Sequence, residues 1–103
     1  MRLHDIAHGR TGDKGEVSNI SVIAYRAEDW PLIERDVTPE RVARQLALGD
    51  NADVSIYRLP QLGALNIVLR GALKGGVTRS LALDPHGKCL AGILLEMELP
   101  PHR

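Results

Sequence analysis

The chain has 103 residues, and 13 Lys and Arg balance 13 Asp and Glu, so its formal net charge at pH 7 is zero. That length fits one domain with a single core, residues 1–103 throughout. Charge balance and few aromatics (one Trp, two Tyr and no Phe) argue against a nucleic-acid partner, which calls for a basic surplus and stacking platforms.

Leu3 to His8 reads as a first strand, with His4, Ile6 and His8 on one face. A glycine-rich stretch follows, with Gly9, Gly12 and Gly15 spaced three apart around Arg10, Thr11, Asp13 and Lys14. It carries almost no apolar surface and reads as a loop. Asn19 to Tyr25 alternates with apolar groups on both faces, which predicts a central strand. Ala27 to Val37 opens with Glu28 and Asp29, acids that favour a helix N-terminus. Thr38-Pro39-Glu40-Arg41 is a sharper start signal, a capping hydroxyl followed by proline at the first helical position, and Gly49 stands where that helix would end.

Val54 to Leu59 alternates and stops at Pro60. Leu62 to Leu73 is apolar around most of a helical circumference, with Asn66, Arg70 and Lys74 forming a stripe at i, i+4 and i+8. Gly75-Gly76 would end it. Val77 to Leu83 alternates, Asp84-Pro85-His86-Gly87 has the composition of a tight turn, and Leu90 to Leu99 reads as a closing strand. The predicted order is ββαβαββ. It favours an α+β two-layer sandwich, with helices on one face of a mostly antiparallel sheet. Apolar groups on both faces of 90–99 imply an uncovered surface and hence a homo-oligomer.

Gly9-Arg10-Thr11-Gly12-Asp13-Lys14-Gly15-Glu16-Val17-Ser18-Asn19-Ile20-Ser21-Val22, Leu59 to Leu69 and Gly75 to Leu81 together resemble the small ferredoxin-fold domain of AtuA-like proteins, the acyclic terpene utilisation family also known as DUF1446. The three blocks occur in order over nearly the whole chain. Gly9 stands where the family often has Ala, and Thr11 where it often has Ser. The resemblance implies a ferredoxin-like fold. The large domain that precedes this module in full-length AtuA-like proteins is not within these residues. The expectation is therefore an accessory or small-subunit module that partners a large AtuA-like chain in acyclic terpene or acyl-CoA-type catabolism.

Backbone amides of glycine turns can form an anion nest, and Arg10 and Lys14 would reinforce one here. Arg10, Gly12, Asp13, Lys14, Gly15 and Asn19, with Arg79 from the later block, are the candidate anion- or partner-binding residues. Asp13 capping a turn beside a solvated Lys14 is the plainer reading of the same residues. Neither a Walker A loop nor a GxGxxG fingerprint is present. Arg79 interrupts the apolar side of its strand, which calls for a carboxylate such as Asp5, Asp13 or Glu16, or for a head that reaches water.

His4 and His8 on an extended strand stand about 13 Å apart. Two ligands of one zinc must lie within about 4 Å, so no metal site is expected. No cofactor is expected either, and no complete nucleophile or acid–base set defines a reaction. A stand-alone binding domain for an anionic metabolite such as phosphate or a CoA-like molecule is the second reading, and a small enzyme of unknown reaction the third. Cys89 is the single cysteine, which suits a reducing compartment. The N-terminus lacks a secretory apolar stretch, and no apolar run nears the roughly 20 residues of a membrane span. The expected location is cytoplasmic.

Overall fold

Val17 to Ala24 alternates buried and half-buried positions along its length, and it is a strand because β-branched residues dominate its inner face. In the computed structural model, which describes residues 1–14, 17–48, 53–70 and 90–100, this strand lies inside a four-stranded sheet. The strands are β1 (Ala7–Lys14), β2 (Val17–Ala24), β3 (Asp53–Leu59) and β4 (Ala64–Arg70). Their spatial order is β1-β2-β4-β3, every neighbouring pair being antiparallel. Three helices accompany them: α1 (Trp30–Asp36), α2 (Pro39–Gln45) and α3 (Leu90–Leu94). The architecture is an α+β sandwich consistent with a ferredoxin-like domain, and β2 is central, as its two-sided apolar pattern predicts.

Register fixes which residues share a face. Ile20 pairs with Ile67 and Val22 with Leu65, and all four are buried. Leu69, from the same face, joins them in one cluster with Trp30, Leu32, Ile33, Val42, Leu46, Leu90 and Leu94 from the helices. Fully burying one such Leu or Ile side chain contributes about 1.5–3 kcal/mol. The three helices thus cover one face of the sheet. Their mutual placement is set by polar links as well. Gln45 donates from Nε2 to the Ile93 carbonyl at 2.9 Å, tying α2 to α3. The Arg41 guanidinium donates to the Glu98 carbonyl at 2.7 Å. Asp36, a buried carboxylate at the end of α1, accepts two hydrogen bonds of 2.9 Å from Arg35. Those bonds hold the Arg35 guanidinium above its ordinary pKa.

Three sequence expectations are overturned. Leu62 to Leu73 is not a helix over its described part: Pro60–Leu62 forms a 3-10 turn and Ala64–Arg70 is β4. Asn66 and Arg70 share a face by strand alternation, since i and i+4 coincide in a two-residue period as well. Leu90 to Leu99 is not a strand; it begins with α3, and Leu90, Ala91 and Leu94 are buried at helical spacing. Met97 and Leu99 are buried too, and Ile93 and Leu95 are half-buried against the core, so this segment packs largely inward. Leu3 to His8 splits into a 3-10 turn, Leu3–Asp5, and the start of β1. The expected strand 77–83 and turn 84–87 lie outside the described residues. Among the described residues, no helix is long and apolar enough to cross a membrane.

Thr38 caps α2 as predicted, its hydroxyl accepting from the Arg41 N–H at 3.3 Å. The other end differs. The chain turns left-handed at Ala47, with φ of 57°, not at Gly49. The Leu48 N–H reaches the Ala43 carbonyl at 2.9 Å and the Ala47 N–H reaches that of Arg44 at 3.1 Å, the two closing bonds of a Schellman motif. An alanine in this conformation costs about 1 kcal/mol that glycine avoids. Ala47→Gly should therefore raise stability by about 0.5–1 kcal/mol. A urea midpoint that moved upward at unchanged slope would show it, and a lower midpoint would exclude it.

Candidate functional site

The glycine-rich stretch is not a loop. Ala7 to Lys14 runs along β2 in continuous register, from Ala7 opposite Ala24 to Lys14 opposite Val17. Glycine and threonine serve here as strand residues, and alternation sends their side chains to two faces with different roles.

Gly9 and Thr11 belong to the helix side. A Cβ built on Gly9 would stand 2.7 Å from the Ser21 carbonyl oxygen and 3.7 Å from the Ala91 side chain. Glycine at this position lets α3 lie close over β1. Thr11 completes the contact, because its hydroxyl accepts a 2.7 Å hydrogen bond from the Ala91 N–H at the start of α3. A free N–H of the first helical turn is thereby satisfied from a neighbouring strand.

Arg10 and Gly12 belong to the opposite side, which no described element covers. The register places Arg10 beside Ser21, Ser21 beside Asn66, and Asn66 beside Tyr57, one cross-strand row over all four strands. The next row runs Gly12, Asn19, Val68 and Ser55. On the other flank lie His8, Ile23, Ala64 and Leu59. Four strands spaced about 4.8 Å apart make each row about 14 Å long.

A shallow cleft of about 270 Å³ opens on this face, lined by Arg10, Thr11, Gly12, Asn19 and Ser21. A Cβ on Gly12 would meet the Asn19 amide oxygen at 3.3 Å, so the missing side chain keeps the cleft open beside that amide. Arg10 is exposed, Asn19, Ser21 and Asn66 are half-buried, and none of these four side chains has a hydrogen-bond or ion-pair partner within the chain among the described residues. Arg70 differs. It lies 3.6 Å from Asp53 and donates to Ser55 Oγ at 3.2 Å. Its guanidinium is held above the ordinary pKa, first by a hydrogen bond to the Tyr57 hydroxyl and then by Asp53.

Where the face meets the sheet end, it turns apolar. His8 packs on Tyr25 with ring centroids 5.1 Å apart and planes tilted by 31°. Tyr25, beside β1, is 63% exposed, and Leu59 and Leu62, at the β3 end of the same row and in the turn after it, are 37% and 64% exposed. His8 is thus engaged with an aromatic ring, while His4 lies 3.5 Å from Asp5 in the preceding turn.

Of the sequence candidates, the structure brings Arg10, Gly12 and Asn19 together around one cleft. Asp13 and Lys14 end the same strand, opposite Ser18 and Val17 in backbone register. Gly15 and Arg79 lie outside the described residues, as do the Arg79 pairings considered above. Sequence reasoning missed Ser21, Asn66 and Tyr57. Asn66 was hidden by the helical reading of its segment, whereas two-residue alternation around Leu65, Ile67 and Leu69 would have placed it opposite the core.

A four-stranded antiparallel sheet with helices on one face and a polar, uncovered face on the other defines a small two-layer domain of ferredoxin-like type. The family model of the AtuA ferredoxin-like domain matches residues 1–100, and the chain belongs to that family. Nothing matches the chain among curated proteins or among solved structures.

The two faces of β1 should separate under mutation. Gly9→Ala forces a backbone shift and should destabilise by about 1–3 kcal/mol. Gly12→Ala meets a movable side chain and should stay within about 0.5 kcal/mol. Equal losses in chemical denaturation would contradict this division. Thr11→Val should cost about 1 kcal/mol and Thr11→Ser much less, read as hydrogen-exchange protection of the α3 amides.

Proposed function

We propose that this chain is an accessory module that docks onto a larger AtuA-like polypeptide through the uncovered face of its sheet. The observation that carries the reading is the composition of that face. Exposed Tyr57 and Arg10, with Tyr25 at its edge, stand among half-buried Asn and Ser side chains. Tyr and Arg are the residue types most enriched where protein partners bury their contact energy. The family assignment supports a larger AtuA-like polypeptide as the partner, and the family's setting favours acyclic terpene or acyl-CoA-type catabolism as the process. The glycine-rich segment keeps a part in this reading, with its site moved from a loop to the outward positions of β1.

Charge argues for a heterologous partner over a second copy. Among the described side chains of the face, Arg10 and Arg70 are opposed by Asp53 alone, which leaves a positive surplus. Two such faces stacked together would repel, whereas an acidic partner surface would be attracted. A homo-oligomer, if formed, would use another surface.

Co-expression with a larger AtuA-like polypeptide, followed by size-exclusion chromatography, tests the docking. The wild-type chain should co-elute with the partner, and Arg10→Glu combined with Tyr57→Ala should weaken the complex about tenfold or more. Separate elution of the wild type, or an unweakened double variant with an intact fold, would refute it.

A further inference from the structure

We propose that the Arg10 row is a carboxylate receptor, and that it takes a monoanionic carboxylate carried on an apolar body. This goes beyond the docking reading and does not need a partner chain. Three observations converge on it.

The first is the presence of uncommitted polar side chains. Arg10, Asn19, Ser21 and Asn66 share one face on adjoining rows, with no internal hydrogen-bond partner among the described residues. Together they offer a guanidinium fork, two amide groups and a hydroxyl. The planar fork matches the two oxygens of a carboxylate, and the neutral donors can complete its lone pairs. Tyr57, at the end of the row, adds a phenolic O–H that can donate.

The second is charge. Arg70 is already balanced by Asp53, which leaves Arg10 as the one unbalanced cation among the described side chains of the face. A monoanion closes that balance. A phosphate group at pH 7 carries about −1.5 to −2, more than this one cation among the described side chains offsets.

The third is polarity on either side of the row. Asn19 and Ser55 make one flank polar, whereas His8, Ile23, Ala64 and Leu59 make the other largely apolar, with Tyr25 stacked beside it. Rows on one face are about 6.8 Å apart along the strand. A carboxylate seated at Arg10 therefore reaches that apolar bed through a chain of about five carbon–carbon bonds. Its attached body lies toward Ile23 and the His8–Tyr25 pair.

Such a group can come from a free organic acid or from an acidic side chain between apolar residues of a polypeptide. Nuclear magnetic resonance titration of the isolated, ¹⁵N-labelled chain distinguishes them, with hexanoate, the capped tripeptide acetyl-Leu-Glu-Leu-amide, hexan-1-ol and inorganic phosphate as probes. Saturable shifts confined to Arg10, Ser21, Asn66, Tyr57 and their neighbours are expected with hexanoate, the tripeptide or both. Hexanoate alone identifies a free acid, the tripeptide alone a polypeptide side chain, and both together a receptor indifferent to source. Phosphate and hexanol should bind about tenfold more weakly or not at all. Arg10→Gln should weaken the acid about tenfold or more, and Arg10→Lys, which keeps charge but loses the fork, by an intermediate factor. Arg10 is exposed, so these variants should retain the wild-type spectrum elsewhere. No saturable shift with either acid, equal binding of phosphate or hexanol, or an unchanged Arg10→Gln affinity overturns the proposal. Failure of the docking test leaves these titrations unaffected, because no partner enters them.

Discussion

The pairing of β2 with β4 governs nearly everything else in this domain. Ile20 opposite Ile67 and Val22 opposite Leu65 put four buried aliphatic residues at the centre of the sheet, under all three helices. Because strand side chains alternate, the same register forces Asn19, Ser21, Asn66 and Val68 to the other face. A slip by one residue would exchange the two sets. It would expose the aliphatic centre and bury amides without partners, which costs about 1–3 kcal/mol for each unsatisfied group. Core and candidate site are therefore two consequences of one register.

β1 shows what that constraint makes of an unusual sequence. Gly9-Arg10-Thr11-Gly12 has the composition of a turn, yet pairing with β2 holds it extended. On the inner side, Gly9 yields space to α3 and Thr11 caps it. On the outer side, Arg10 carries charge and Gly12 leaves the cleft open. Two glycines three residues apart necessarily fall on opposite faces of a strand, so they serve unlike purposes. A glycine string in sequence suggested one flexible anion nest. Alternation divides it into a packing device and a surface feature.

The parts of the fold legible in the sequence were those with local chemical signals. Thr38-Pro39 marked a helix start, Pro60 a strand end, and the two-sided apolar pattern of Ile20 to Ala24 a central strand. Ala64 to Arg70 was illegible as a strand because, among its seven residues, only Asn66 and Arg70 are polar, and a spacing of four fits both periods. Its β-branched Ile67 and Val68 favour a strand, but weakly beside a long apolar run. Leu90 to Leu99 misled for a different reason. Its helix is only five residues long, and alternation of apolar residues past Leu94 imitates a strand in a segment that is held by core contacts and an isolated bridge from Glu98 to Arg2. Of the site, Arg10, Gly12 and Asn19 were visible as a charged glycine cluster. Ser21, Asn66 and Tyr57 join them through register alone, which no single segment encodes.

The uncovered face also has to exist without its ligand or partner, and its residue pattern addresses that. Ile23 and Leu59 share a row with His8, Val68 lies between Asn19 and Ser55, and Val17 pairs with Arg70. Interleaving of this kind keeps the apolar area in pieces smaller than the few hundred Å² at which exposed patches become adhesive. The exceptions are Leu59 and Leu62 around the turn after β3 and Tyr25 beside β1, whose aromatic ring is shielded on one side by His8. A binder that neutralised Arg10 and covered Tyr25 would remove two features the free face leaves least satisfied, one electrostatic and one apolar. They sit on neighbouring rows, so a single amphipathic group reaches both. This adjacency, more than either feature alone, is why the face reads as a surface built for an acidic and partly apolar occupant.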